Sequence, residues 1–306
     1  MKMKEMLGKR KLLVLGGVLL AGVIAVVGTK SAVFTVNADD GKERRNIVAV
    51  TREDGSGTRS AFGELTGLVE VDAYGTKTDR TSDQIAVTGS TEEMLRQIEL
   101  TEDGIGYVSM GASDMESADV KIVNVNGMEP TKENIKNGNY ELTRPLQLIY
   151  NGKLTDLEYD FLTYLKSAGQ GIVADTDYIA ARDTGIHLKK NVTGKIAVSG
   201  SSSMAPIMQV LAAAYMTENP GAEVQVTTSD SNKGMLDVME GKSNFGMVSR
   251  DLYSYEKAVF QSETIAKDAI VVIVNKKNGL EDITTDQIQG IYTSNIENWE
   301  YLEVYE

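Results

Sequence analysis

Cysteine is missing from this chain of 306 residues, and histidine occurs once, as His187. The lack of cysteine excludes disulfides, thiol nucleophiles, cysteine metal sites and a lipid-anchored cysteine near the N-terminus. With a single histidine, neither a histidine-based metal site nor a Ser-His triad is expected. His187 is predicted to be a surface or linker residue. We therefore expect no enzyme activity of these kinds, no cofactor and no bound metal.

A basic surface is also lacking, because 44 acidic residues against 31 basic ones give a formal net charge of −13. Nucleic acid is therefore not an expected partner. A small anion stays possible, since backbone dipoles and one or two arginines act locally. The hydrophobic content of 42% with 25% charged residues is that of a globular protein. The length is sufficient for two domains of ordinary size.

The N-terminus carries a long apolar run. Residues 1–11 are basic, and Leu12 to Val27 is unbroken apolar sequence. This pattern is typical of a secretory signal peptide or a signal-anchor helix, and its length is near the lower limit for spanning a bilayer. We predict that residues 1–38 form the signal or anchor helix with its linker, that residues 12–29 hold the chain at the cell membrane unless cleaved, and that the remainder works outside the cytoplasm.

A glycine-rich loop follows the first predicted strand, residues 46–50. Its Ser56, Gly57 and Thr58 would present N–H groups and hydroxyls at a helix N-terminus, which favours an anion. Arg52 adds a planar fork of donors suited to a tetrahedral oxyanion. The loop alone leaves two interpretations open. It is either an oxyanion cradle, or a helix cap beside a surface ion pair between Arg52 and Asp54.

Strands alternate with helices along the rest of the chain, which predicts an α/β fold with parallel sheets flanked by helices. Ligands of such sheets bind beyond the carboxyl ends of the strands. Hydroxyl-rich strand-to-helix loops occur at that kind of position in residues 52–58, 88–91, 199–203 and 228–234. With Arg52 and Arg250 placed just after strands, these loops favour an anion site made of neutral donors. Residues 171–194 are predicted to be a connector.

Three motifs resemble the phosphate-binding proteins of bacterial phosphate ABC transporters: residues 52–59 (REDGSGTR), 198–206 (VSGSSSMAP) and 245–252 (FGMVSRDL). Shorter matches at 88–91, 104–109, 142–146 and 298–299 extend the resemblance over nearly all of residues 46–299. The resemblance implies a two-lobed clamshell of the type II periplasmic-binding-protein kind. Each lobe would be a mainly parallel sheet flanked by helices, with the anion between the lobes.

The resemblance also implies a set of phosphate ligands, one motif position at a time. They are Arg52, Ser56, Gly57, Thr58, Ser202, Ser203, Ser231 and Ser249. Asp54 would orient Arg52 as its ion-pair partner, and Arg250 would support the site beside Ser249. Some family members have an aspartate where this chain has Ser249, and that acceptor recognises the proton of monohydrogen phosphate. Selectivity of phosphate over sulfate is therefore left open.

The order of the halves differs from those relatives, in which the half with the triple-serine loop comes first. This chain resembles a circular permutant, and termini of compact domains are often close enough to allow one. The permutation predicts one lobe of residues 46–145 plus 276–306 and another of residues 146–275. The crossover strands would lie near Leu146–Tyr150 and Ile270–Asn275. Alternatively, the two halves complete each other only between chains.

The leading functional hypothesis is an extracytoplasmic protein that captures inorganic phosphate and delivers it to the membrane permease of an ABC transporter. One alternative is a membrane-anchored sensor or scavenger of phosphate or sulfate without a transport role. A phosphoryl-transfer enzyme is a weaker alternative, because the sequence lacks an obvious general base and a carboxylate cluster for a metal.

Overall fold

The computed structural model describes residues 45–71, 76–112, 117–188 and 190–304. The predicted signal or anchor helix in residues 1–38 lies outside these ranges. Among the helices that are described, none has the length and apolar character needed to cross a membrane.

Strands and helices alternate through the described ranges. The strands are β1 (Val48–Arg52), β2 (Val69–Val71), β3 (Lys77–Asp79), β4 (Ala86–Thr88), β5 (Gly104–Ser109), β6 (Val120–Val125), β7 (Thr143–Tyr150), β8 (Ile179–Ala180), β9 (Gly194–Ser201), β10 (Ala222–Ser229), β11 (Phe245–Val248), β12 (Gln261–Asn275) and β13 (Asp282–Ile283). The α-helices are α1 (Gly57–Leu65), α2 (Thr91–Glu99), α3 (Lys132–Asn137), α4 (Asp156–Leu165), α5 (Gly169–Ala174), α6 (Ala205–Glu218), α7 (Ser231–Met239), α8 (Ser254–Lys257) and α9 (Thr285–Tyr292), followed by a 3₁₀ turn at Trp299–Val304.

One sheet runs through the molecule in the order β10-β9-β11-β7-β12-β5-β1-β4. Its outer parts are parallel, with β1 between β4 and β5, and β9 between β10 and β11. Its centre is antiparallel, because β12 runs against both β5 and β7, and β7 runs against β11. The expectation of mainly parallel sheets holds for these outer parts and is wrong at the centre, where the 15-residue β12 joins both parts.

Two large hydrophobic cores flank the middle of this sheet. One is built from members between Val50 and Leu142 and between Ala269 and Leu302. The other is built from members between Leu146 and Ala266. The boundary between the cores therefore crosses β7 between its start at Thr143 and Leu146, and it crosses β12 between Ala266 and Ala269.

The predicted connector, residues 171–194, contains the end of α5, the short β8 and the histidine of the chain. His187 is predicted from sequence to be a surface or linker residue. It lies in this connector, and because its side chain is only 2% exposed, the surface alternative is wrong. Its Nε2 lies 3.2 Å from the buried Asp160 Oδ1, and its ring meets Tyr164 edge-on. These contacts fix the connector against α4.

Gly200 in β9 has no room for a side chain. Its φ is +128°, and a Cβ there would lie 2.5 Å from the Met247 carbonyl oxygen and 3.0 Å from the Met247 nitrogen. Because these are backbone atoms of the paired strand β11, neither can turn aside. We expect Gly200→Ala to lower the free energy of unfolding by about 3 kcal/mol, measured by urea denaturation.

The matched control is Gly127→Ala, since Gly127 has a φ of +71° but meets no atom within 4 Å in the described ranges. This change should cost about 1 kcal/mol from backbone strain alone. Equal losses for the two variants would contradict the close approach at Gly200.

Candidate anion-binding site

The loop between β1 and α1 is both a helix cap and one wall of a polar cluster. Ser56 caps α1, because its side chain accepts a hydrogen bond from the Arg59 N–H at 3.3 Å. The N–H of Ser56 itself donates to the Glu53 carbonyl at 3.0 Å. Gly57 and Thr58, the first two residues of α1, have N–H groups without partners inside the helix. Ser56 therefore builds the turn, and the N–H groups of Gly57 and Thr58 point away from the helix at its start.

Arg52 is buried, with 1% of its surface exposed. Its Nε and Nη2 donate to the two Glu53 carboxylate oxygens, each at 2.8 Å. The predicted pairing of Arg52 with Asp54 is wrong, since Asp54 is almost fully exposed and pairs with Arg59 at 2.7 Å. The remaining nitrogen, Arg52 Nη1, is buried and meets no hydrogen-bond partner among the described residues. A buried donor of this kind is costly unless an acceptor reaches it.

The triple-serine loop after β9 forms the second wall. Ser203 Oγ lies 2.8 Å from Thr58 Oγ1, and both residues are buried. Ser202 Oγ accepts from Arg52 Nη2 at 3.2 Å and lies 3.4 Å from Thr91 Oγ1. Two loops that are 145 positions apart in sequence thus meet within one chain.

Two further serines complete the cluster. Ser231, the first residue of α7, has its Oγ 3.4 Å from Ser249 Oγ and accepts from the Ser249 N–H at 3.2 Å. Both hydroxyls lie against Gly57, where a Cβ would be 2.3 Å from Ser231 Oγ and 2.7 Å from Ser249 Oγ. A side chain at this position would therefore displace these hydroxyls from their present places between the two walls.

The structure brings seven of the eight predicted ligand residues into contact with at least one other of the set, in the pairs Arg52 with Ser202, Thr58 with Ser203, and Gly57 with Ser231 and Ser249. Ser56 is the exception, as the cap of α1. Helices α1 and α7 both begin in the cluster, and the positive N-terminal ends of their dipoles favour negative charge there. The arrangement can hold a small oxyanion through hydroxyls, N–H groups and one guanidinium.

Arg250 points away from the cluster. Its Nη1 and Nη2 donate to the Glu256 carboxylate at 2.7 and 2.8 Å, and its guanidinium lies 4.2 Å from the centre of the Tyr253 ring. Nη2 also reaches Asn232 Oδ1 at 3.3 Å. Its contacts support the loop that carries Ser249, and they do not extend to the hydroxyl cluster.

Sequence reasoning missed the phenol behind Arg52. The Tyr107 hydroxyl lies 2.7 Å from Thr51 Oγ1 and accepts from the Arg52 N–H at 3.2 Å. Burial raises the pKa of Tyr107 above its ordinary value, so the phenol stays neutral at physiological pH and adds no negative charge beside the cluster. Thr91 was also missed as a contact, although its loop was recognised as hydroxyl-rich. In the described part of the chain, no group of three or more His, Asp or Glu side chains is placed to hold a metal ion.

Residues 29–168 and 185–304 match the family described as the PBP superfamily domain. The chain is 34% identical over 283 residues to the phosphate-binding protein PstS 2 of Streptococcus agalactiae, which covers 92% of this chain and 96% of that protein. It is 30% identical to PstS 2 of Streptococcus pneumoniae over 96% of this chain and 99% of the relative. A crystal structure of a phosphate-binding protein of a phosphate ABC transporter from S. pneumoniae superposes with a TM-score of 0.68 and 31% identity, covering 84% of this chain and all of that one. The chain therefore belongs to the PBP superfamily and, within it, to the family of phosphate-binding proteins named PstS.

Proposed function

We propose that this protein captures inorganic phosphate outside the cytoplasm and delivers it to the membrane permease of a phosphate ABC transporter. One observation carries the proposal. Arg52 Nη1 is buried without a partner among the described residues, on the guanidinium whose Nη2 donates to Ser202 Oγ of the second wall. A tetrahedral oxyanion offers the acceptors that this donor and the hydroxyls of the two walls need. The names of the streptococcal relatives favour phosphate as that oxyanion.

The ligand residues in this proposal are Arg52, Gly57, Thr58, Ser202, Ser203, Ser231 and Ser249. Ser56 contributes by capping α1 and so fixing the direction of the two N–H groups that follow it. Asp54 and Arg250 act on the loops, through Arg59 and Glu256 respectively. The protein is proposed to be a binder and not an enzyme.

The two walls are proposed to belong to two lobes, residues 46–145 plus 276–306 and residues 146–275. The boundary between the hydrophobic cores supports this division, because it crosses β7 and β12. Contacts between residues of the two proposed lobes support a closed arrangement: Asn232 N–H donates to the Gly55 carbonyl at 3.3 Å, and Tyr253 Oη donates to Glu64 at 3.1 Å. Opening and closing of these lobes would release and trap the anion.

The exchanged order of the halves is also a proposal. Bacillus subtilis PstS matches only 119 residues, which are 37% of this chain and 39% of that protein. A match of about half a chain is expected when two halves are exchanged, since one continuous alignment can hold only one of them. The streptococcal relatives match along nearly their whole length and would share the order found here.

The location outside the cytoplasm is proposed from the basic segment and the apolar run at the N-terminus, which also supply the proposed attachment to the membrane through residues 12–29. If that helix is retained, the binding protein stays near its permease. If it is cleaved, the protein diffuses freely outside the cytoplasm.

Sulfate is the competing ligand. Glu53 could distinguish phosphate from sulfate only if one of its carboxylate oxygens were left to accept the proton of monohydrogen phosphate. This is the carboxylate beside Arg52, and both its oxygens already accept from that guanidinium. The remaining predicted ligands are hydroxyls and N–H groups, which can bind either dianion. Hydroxyl oxygens are the acceptors left for the proton of monohydrogen phosphate.

The test is calorimetric titration of the purified full chain, in mild detergent and dialysed free of phosphate, with phosphate and separately with sulfate at neutral pH. Tight one-to-one binding of phosphate and much weaker binding of sulfate are expected. Equal affinities would replace the proposal by a general oxyanion binder. A folded chain that binds neither anion, or that hydrolyses a phosphomonoester, would overturn it.

A further inference from the structure

A buried ion pair lies at the boundary between the two hydrophobic cores. Arg144 on β7 stands directly opposite Asp268 on β12 in the register of the two strands. The guanidinium donates to Asp268 Oδ2 from Nη2 at 2.8 Å and from Nε at 3.1 Å. Both residues are almost fully buried, with 3% and 0% of their surfaces exposed.

The other atoms of this pair reach segments on both sides of the boundary. Arg144 Nη1 donates to the Ser249 carbonyl at 3.1 Å, in the loop that leaves β11. Asp268 Oδ1 accepts from the Gly111 N–H at 3.2 Å, just after β5. The pair therefore links a segment of each proposed lobe through the two strands that cross between them.

Ser249 is held by its backbone on both sides. Its N–H donates to Ser231 Oγ at 3.2 Å, and its carbonyl accepts from Arg144. The next carbonyl, that of Arg250, accepts from Gln147 Nε2 at 3.1 Å. Because the chain has left the ladder of β11 here, side chains of β7 take the place of a neighbouring strand.

A buried ion pair is weak evidence for stability, because apolar residues of similar volume often serve a fold equally well. Its directional bonds are better suited to fixing the position of a loop. We propose that Arg144 and Asp268 form a hinge ion pair that positions Ser249 for the anion. Arg144 is thus a positioning residue and makes no contact with the ligand itself. This inference rests on the proposed function for the role of Ser249.

The test is a double-mutant cycle on the full chain. In the variant Arg144→Met/Asp268→Asn both charges are removed together, so that no unpaired charge is left buried. We expect its Kd for phosphate to rise about tenfold. Ser249→Ala should raise the Kd for phosphate about tenfold in the native background. In the double variant it should raise the Kd less than about twofold, because Ser249 has already lost its position.

Ser202→Ala is the matched control, since Ser202 contacts Arg52 and Thr91 and has no bond to the hinge pair. Its cost should be the same in both backgrounds. A merely structural role of the ion pair would leave the cost of Ser249→Ala unchanged as well, and that result would overturn the inference. If the double variant does not fold, Arg144→Lys replaces it, because an ammonium paired with Asp268 lacks the fork that also reaches the Ser249 carbonyl.

Hydrogen exchange without phosphate separates this inference from the proposed function. The amides of residues 249–251 should exchange faster in the double variant, while the Gly111 amide keeps an acceptor in the new asparagine and serves as the internal control. Unchanged exchange at residues 249–251 would overturn the hinge role. A native chain that binds no phosphate, with the exchange difference present, would overturn the proposed function and leave the hinge role standing.

Discussion

Arg52→Met is expected to raise the Kd for phosphate about a thousandfold, which corresponds to about 4 kcal/mol. The change removes the charge and the donors of a guanidinium that contacts the triple-serine loop. It also frees the Glu53 carboxylate, both of whose oxygens are now held by Arg52. An unpaired carboxylate at the edge of the site would repel a dianion, so the loss exceeds that of the hydrogen bonds alone. Calorimetric titration measures it.

Two variants separate these contributions. Arg52→Met/Glu53→Gln removes the repelling carboxylate together with the guanidinium. Its Kd for phosphate should be about tenfold lower than that of Arg52→Met, on the scale of a single charge-pair interaction. Arg80→Met is the control for net charge, because Arg80 is partly exposed and pairs with Glu70 at 3.1 Å. It should bind phosphate like the native chain. If the Kd of Arg52→Met for phosphate lies within tenfold of the native value, Arg52 is not a ligand of the anion.

The position of Arg52 could be predicted from sequence, but its partner could not. An apolar run followed by Arg and a Gly-Ser-Gly-Thr segment indicates a strand end, a loop and a helix start, and β1 and α1 have this arrangement. Glu53 and Asp54 are both close enough in sequence to pair with Arg52. Which of them turns inward depends on the course of the loop after β1, and local sequence does not encode that course.

Long-range packing explains the other differences. The first four residues of β12, Gln261 to Thr264, are polar and lack the apolar pattern of a buried strand, yet they pair with β7. The His187 side chain is buried while its neighbours Ile186 and Leu188 are 86% and 81% exposed, the reverse of what residue polarity suggests. Its acidic partner Asp160 lies 27 positions away. Contacts with a distant element thus determine both the extent of β12 and the burial of the His187 side chain. The local hydrophobic periodicity of the sequence does not indicate such contacts.

The second large effect is expected from Gly57→Ala, which should raise the Kd for phosphate at least a hundredfold while leaving the fold intact. The new Cβ would lie 2.3 Å from Ser231 Oγ and 2.7 Å from Ser249 Oγ, both closer than atoms can approach. Serine hydroxyls can rotate away from a methyl group, but both would then be turned from the anion. Ser231 Cβ, at 3.2 Å, would still be crowded, so the walls would also have to separate.

Stability is the readout that distinguishes this effect from simple damage to the fold. Gly57 is the first residue of α1, and alanine is a better helix former than glycine, so the free energy of unfolding without ligand should be unchanged or slightly higher. Gly279→Ala is the matched control, since a Cβ there meets no atom within 4 Å in the described ranges, and it should change neither quantity. Native phosphate affinity in Gly57→Ala would mean that the two walls do not close on the anion at Gly57. A loss of both affinity and stability would assign Gly57 to the core of the fold instead of the contact between the walls.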